Sequence, residues 1–142
     1  MKLVILAGGY GTRLSEETKI KPKPLVKIGK KPIIWHLMKI YSYFGINEFI
    51  ICLGYKGHII KKELNEYIKK ENWVINFVDT GLHTMTGGRV KQIEKYLGSE
   101  KNFCLSYGDG LSNVNIKKLI KFHLDSNKIA TLTAVKYKNP KG

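Results

Sequence analysis

Apolar and polar positions along this chain follow two alternating periods, and the switches between them outline its architecture. Leu3-Val4-Ile5-Leu6 is an unbroken apolar run of strand length that empties into glycine, the pattern of a strand buried on both faces. Pro32 in the first helical position opens a helix through about Phe44, and Gly45 closes it. Phe49–Leu53 reads as the next apolar strand. From Lys56 to Lys69, Ile59, Ile60, Leu64 and Ile68 recur three to four residues apart, which predicts an amphipathic helix with its lysines outside. Trp73–Val78 alternates as a strand, and Gly88–Leu97 carries Val90, Ile93 and Leu97 on one helical face. Phe103–Tyr107 is a strand, Val114–Leu124 a helix and Ile129–Val135 a final strand. Repeated βα units of this kind predict an α/β fold, a doubly wound and mostly parallel sheet with ligands at the carboxyl ends of its strands.

That rule places three loops on one rim: Gly8–Lys23 after the first strand, Asp79–Gly87 after the third and Gly108-Asp109-Gly110 after the fourth. Behind Leu6 and Ala7, the glycines Gly8, Gly9 and Gly11 let backbone N–H groups approach a ligand, and phosphate suits such a turn. Arg13 can fork onto phosphate oxygens, while Lys23, between Pro22 and Pro24, is a compact charge on a stiffened backbone. Neither common phosphate motif fits. A P-loop needs Gly-Lys-Ser/Thr where this chain has Gly11-Thr12-Arg13, and a dinucleotide fingerprint needs glycine where Leu14 stands.

The third loop, rich in hydroxyls and glycine from Asp79 to Arg89, can wrap a base by backbone and side-chain hydrogen bonds, and Arg89 can meet a phosphate. Thr86 also suits a helix N-cap, and the two readings are compatible. Asp109, between two glycines at a strand end, is the best metal candidate, because Mg²⁺ often binds through one or two carboxylates plus phosphate oxygens. A turn-forming aspartate is the rival reading. His36, His58, His83 and His123 show no ligand spacing, and His36 reads as packed within the first helix. Cys52 and Cys104 lie in strand-like apolar runs and read as reduced core thiols.

The composition changes this picture little. At 142 residues with 43% apolar content, the chain has enough for one core, and the expectation is a single domain. It has no membrane-length apolar stretch and no signal-peptide pattern, so the expected location is the cytosol, with no membrane partner. The net charge of +14 raises nucleic acid as a partner, but the lysines are scattered and Trp35, Tyr41, Tyr43 and Phe44 fall at helical spacing. Only the stretch Lys19–Lys31, with six lysines near the glycine turn, is placed like a binding feature.

Leu-Ala-Gly-Gly-Tyr-Gly-Thr-Arg-Leu (residues 6–14) followed by Lys-Pro-Lys-Pro (21–24) resembles the signature of the sugar-1-phosphate nucleotidyltransferases. Within that family, Leu14-Ser15-Glu16-Glu17-Thr18, Trp35-His36, Gly54-Tyr55-Lys56-Gly57, Asp79-Thr80-Gly81, Met85-Thr86-Gly87-Gly88-Arg89 and Tyr107-Gly108-Asp109-Gly110 are most similar to the cytidylyltransferases that act on glucose 1-phosphate. The resemblance implies a Rossmann-like nucleotidyltransferase fold. It also implies transfer of CMP from CTP to glucose 1-phosphate, giving CDP-glucose and pyrophosphate for surface-polysaccharide deoxysugars such as those of O-antigen.

Carried over by position, the catalytic residues would be Arg13, Lys23 and Asp109, with Asp109 holding Mg²⁺. The nucleotide site would take in Leu6, Ala7, Gly8, Gly9, Gly11, Thr12, Arg13, Lys23, Thr84, Thr86, Gly87 and Arg89. Two features depart from the family pattern. Only Glu71-Asn72 stands where such cytidylyltransferases carry a long insertion, and residues 1–142 match an N-terminal, nucleotide-binding part without the sugar-binding part. Three expectations follow: an active transferase, a nucleotide-binding remnant without turnover, or a basic nucleic-acid binder. A homo-oligomer or a separate C-terminal fragment stays open as a partner.

Overall fold

The computed structural model describes residues 1–10 and 21–135. The chain divides into two compact units, Met1–Ser112 and Asn113–Gly142. In chain order the first unit contains β1 (Leu3–Leu6), a 3-10 turn (Lys23–Leu25), β2 (Lys27–Ile28), β3 (Lys31–Pro32), α1 (Ile33–Tyr43) and β4 (Glu48–Leu53). After these come α2 (Gly57–Ile68), β5 (Val74–Asp79), α3 (Thr86–Gln92), α4 (Glu94–Leu97) and β6 (Cys104–Tyr107).

Four strands form one parallel sheet in the order β5-β4-β1-β6. The chain steps outward from β1 to β4 to β5 and then returns to place β6 on the other side of β1. This reversal is a topological switch point, the place where open α/β sheets bind ligands. Leu6 pairs with Cys52 on one side and with Tyr107 on the other, so the ends of β1, β4 and β6 are level.

Alternation along the strands divides the core between two faces. Val4, Leu6, Ile50, Cys52 and Val78 share one face with Ile93, and Val90, Tyr96 and Leu97 of the helical return pack against them. Leu3, Ile5, Phe49 and Ile51 point the opposite way and are fully buried. The outward crossovers α1 and α2 supply buried Ile34, Leu37, Met38, Ile60 and Leu64. Gly57 opens α2 so close to Leu53 that an added Cβ would lie 2.8 Å from the Leu53 Cβ. Helices on both faces make the sheet doubly wound, as its apolar strands require.

Several expected elements shift. Pro32 precedes the first helical residue, and the predicted helix over 88–97 is two helices with buried Ile93 at the break. Thr86 begins α3, while Met85 holds the N-cap position without a side-chain cap bond. A small hairpin, β2–β3, went unread in the pattern; its two-residue loop places Gly29 at φ +62°.

In the second unit, α5 (Ile116–Ser126) starts two residues later than the periodicity suggests, because the Asn115 side chain accepts from the Lys118 N–H as its cap. The predicted strand over 129–135 does not form. An apolar run becomes a strand only where another strand pairs its backbone, and here Ile129, Leu132 and Val135 are exposed. Among the described residues, no helix is long and apolar enough to cross a membrane.

Candidate nucleotide site

The level ends of β1 and β6 open into a cleft with a cavity volume of about 470 Å³. Its floor is the backbone from Leu6 to Tyr10, continuing β1, with the Ala7 N–H donating to Cys52 O at 3.0 Å. Across the switch point, the Gly108 N–H donates to Leu6 O at 3.0 Å, so the turn after β6 is tied to the end of β1.

The 3-10 turn brings Lys23 into the cleft. Leu25 is buried beneath it, and the Leu25 N–H donates to Pro22 O at 2.8 Å. Pro24 then packs on Gly108 so closely that a Cβ there would stand 3.0 Å from Pro24 Cγ. This close contact favours glycine and brings the neighbours of both residues together. Lys23 and Asp109 form an ion pair at the mouth of the cleft, each about one third exposed (36% and 29%).

The opposite wall is the loop between β5 and α3. The Gly81 N–H donates to the Asp79 carboxylate at 3.0 Å, and Gly81 turns the chain at φ +88°. Thr84 nests between Gly81 and Gly88; a Cβ on either would lie within 3 Å of its side chain.

Arg89 ties this wall to the sheet. Its guanidinium is buried and donates to Leu53 O at 2.9 Å, Thr80 Oγ1 at 2.6 Å, Gly8 O at 3.1 Å and Leu82 O at 3.5 Å. A Cβ on Gly8 would overlap that guanidinium, and one on Gly54 would lie 2.7 Å from it. The absent side chain of Gly8 therefore makes room for the Arg89 guanidinium. Sequence reasoning gave that glycine to phosphate and gave Arg89 a phosphate too; in this geometry both terminal nitrogens of Arg89 serve protein acceptors.

Of the expected site residues, Leu6, Ala7, Gly8, Gly9, Lys23, Thr84, Thr86, Arg89 and Asp109 line the one cleft. Gly87 lies on α3 and is not part of the lining. Gly11, Thr12 and Arg13 lie outside the described residues. Tyr10, Leu82, His83, Met85 and Gly108 belong to the three rim loops without having been singled out within them, and Pro24 and Tyr107 complete the lining. His83 carried no ligand spacing, and what places it here is a hydrogen bond from across the cleft, with Tyr10 Oη 3.0 Å from its Nδ1.

The two thiols stand apart from this chemistry. Both are free; burial pushes the Cys52 thiol up to about 11, against a smaller opposing pull from Arg89, and it raises Cys104 as well. The lysines before α1 are also largely engaged. Lys21 pairs with Glu63 at 3.0 Å, and Lys27 and Lys31 lie over Tyr67, with Lys31 also over Trp35. His36 packs edge-on against Trp35 of its own helix, ring centroids 5.2 Å apart, and also bonds to Ile28 O at 3.0 Å.

Residues 2–142 match the nucleotidyl transferase family, and the chain belongs to that family. It is 48% identical to the glucose-1-phosphate cytidylyltransferase of Salmonella typhimurium strain LT2 and 47% identical to a probable glucose-1-phosphate cytidylyltransferase of Bacillus subtilis strain 168. These alignments cover 94% and 95% of the chain. The chain spans 60% of the length of each relative. Both alignments run over 154 positions, more than the chain has, so the relatives carry residues within the matched stretch that are missing here. HddC from Yersinia pseudotuberculosis, complexed with GMP-PN, superposes with a TM-score of 0.75 at 32% identity, covering 87% of this chain and 54% of its own.

Proposed function

We propose that this chain is the nucleotide-binding part of a cytidylyltransferase that joins CTP and glucose 1-phosphate into CDP-glucose and pyrophosphate. The observation that carries the reading is the meeting of Lys23 and Asp109 beside the glycine turn at the switch point of the sheet. The Salmonella and Bacillus relatives support cytidine and glucose 1-phosphate.

In this reaction a phosphate oxygen of the sugar phosphate attacks the α-phosphorus of the nucleotide. The bond from that phosphorus to the bridging oxygen breaks, and pyrophosphate leaves with the electron pair. The nucleophile is already an oxyanion, so the protein has to align two polyanions in line and offset their repulsion. Lys23 is positioned to offset that charge from the β6 side of the cleft. The backbone from Gly8 to Tyr10 offers the close approach, and Arg89 fixes that backbone through Gly8 O. Arg13 is assigned the pyrophosphate end by its place in the signature.

Asp109 suits a Mg²⁺ ion that arrives with the nucleotide. It presents hard oxygen donors at the cleft, and among the described residues no group of three His, Cys, Asp or Glu could hold an ion unaided. When bound, the ion would neutralise phosphate charge and polarise the α-phosphate.

Asp109 is the one carboxylate among the described residues that line the cleft, so we infer nucleotide binding with slow turnover for residues 1–142 by themselves. Pyrophosphate release from CTP, Mg²⁺ and glucose 1-phosphate tests this. The expected result is saturable CTP binding with turnover far below the ~1 s⁻¹ low end of ordinary enzymes. Absence of CTP binding would overturn the reading. A purine nucleotide is the second reading, favoured by the GMP-PN complex of HddC, and competition between CTP and GTP decides between them.

A further inference from the structure

The cleft is chemically lopsided. Lys23 and Asp109 mark one end, whereas the opposite wall presents Tyr10, Leu82, His83 and Met85. A nucleoside triphosphate laid between them places its polyanion at the charged end and its base against the apolar one. Tyr10 belongs to the first rim loop and His83 to the third, and Tyr10 Oη meets His83 Nδ1 at 3.0 Å across the gap.

Both ends of this bridge are anchored. The Tyr10 ring stands 5.2 Å from that of Tyr55, whose N–H donates to Gly8 O at 3.2 Å. His83 sits between Leu82, whose carbonyl accepts from Arg89, and Thr84, which is nested between two glycines. The bridge therefore adds a second tie between the two loops, beside the Arg89 guanidinium that holds both Gly8 O and Leu82 O.

We propose that Tyr10 and His83 are specificity-determining residues, a clasp that holds the base end of the cleft to the width of a pyrimidine and disfavours a purine. The inference rests on the nucleotide reading above and extends it to the residues that choose the base. Under this proposal a single-ring base is held beside the closed clasp, whereas a bicyclic base requires the hydrogen bond between Tyr10 and His83 to break. Discrimination by width is modest, of the order that pocket size gives, and it is separate from hydrogen-bond readout of the base edge.

The test is titration of CTP and GTP, each with Mg²⁺, into the parent chain and into Tyr10→Phe, His83→Ala and His83→Gln. Tyr10→Phe keeps the ring and removes only the hydroxyl. The parent is expected to prefer CTP. In Tyr10→Phe and His83→Ala the CTP:GTP affinity ratio should fall about tenfold, mainly through tighter GTP. His83→Gln, which keeps an acceptor, should restore much of the ratio. A purely structural role would weaken both nucleotides alike, and that result, or an unchanged ratio, would overturn the clasp while the nucleotide reading stands. A parent that binds neither nucleotide would remove both, and a parent that prefers GTP would also end the proposal.

Discussion

Lys23 and Asp109, from the 3-10 turn and the turn after β6, form an ion pair that closes one end of the cleft. Without nucleotide, the residue proposed to meet phosphate and the residue proposed to meet metal neutralise each other. Gly108 packed on Pro24 sets that pairing, since neither backbone can withdraw without opening the contact.

The first prediction follows from that competition. Replacing Lys23 with Met frees the Asp109 carboxylate, so Mn²⁺ alone should bind more tightly, by about threefold to tenfold for a partly exposed pair. CTP should bind more weakly in the same variant, because a phosphate partner is gone. Calorimetric titration of each ligand reads the two opposite signs, and a fall in both affinities would contradict the competition. The melting temperature should hardly move, since such pairs contribute about 0–1 kcal/mol.

Arg89 is predicted to matter for stability as much as for binding. Arg89→Ala removes the donor to Thr80 Oγ1 and one of the donors to Leu53 O and Gly8 O, which keep the Thr80 and Tyr55 N–H groups, and losing these charge-assisted bonds should cost about 2–3 kcal/mol. Arg89→Lys should rescue little, because an ammonium lacks the planar fork that reaches these acceptors together. Gly54→Ala should resemble Arg89→Ala, since its Cβ would meet both Gly8 O and the guanidinium at 2.7 Å. Urea unfolding of the three variants checks the pattern.

A third expectation concerns alkaline pH. Burial raises the Cys52 thiol to about 11 and the Tyr41 phenol to about 12, above their ordinary values of 9.0 and 10.0. The folded chain keeps these protons where the unfolded chain has lost them, so stability is full below about pH 9 and falls as pH rises from there towards 12. Cys52 alone should account for about 2–3 kcal/mol by pH 11. Urea midpoints at pH 8 and pH 11 should differ less in Cys52→Ala than in the parent; an equal difference would contradict this contribution.

The strands were legible in sequence because a fully buried parallel strand is an apolar run, and Leu3–Leu6 and Phe49–Leu53 have little else to be. The residues at 129–135 carry the same signal without a partner strand, and pairing is not written in an isolated run. That Gly8, Gly9, Lys23, Thr84 and Asp109 share one cleft was legible from residue type and loop position. Arg89 was placed correctly in the cleft but assigned to phosphate, because its acceptors are backbone carbonyls from three separate strand ends and loops. The contact between Tyr10 and His83 was not legible for a related reason: it joins two distant loops, and neither residue carries a local pattern that points to the other.

CTP is proposed to bind in the cleft between β1 and β6. The most direct test is an amide NMR titration of the ¹⁵N-labelled chain with CTP and Mg²⁺. Saturating shifts are expected at Gly8, Gly9, Tyr10, Gly108 and Asp109, with much smaller ones around Lys27 and Lys31. Shifts concentrated on that lysine and aromatic face, or no saturable shift at millimolar CTP, would contradict it.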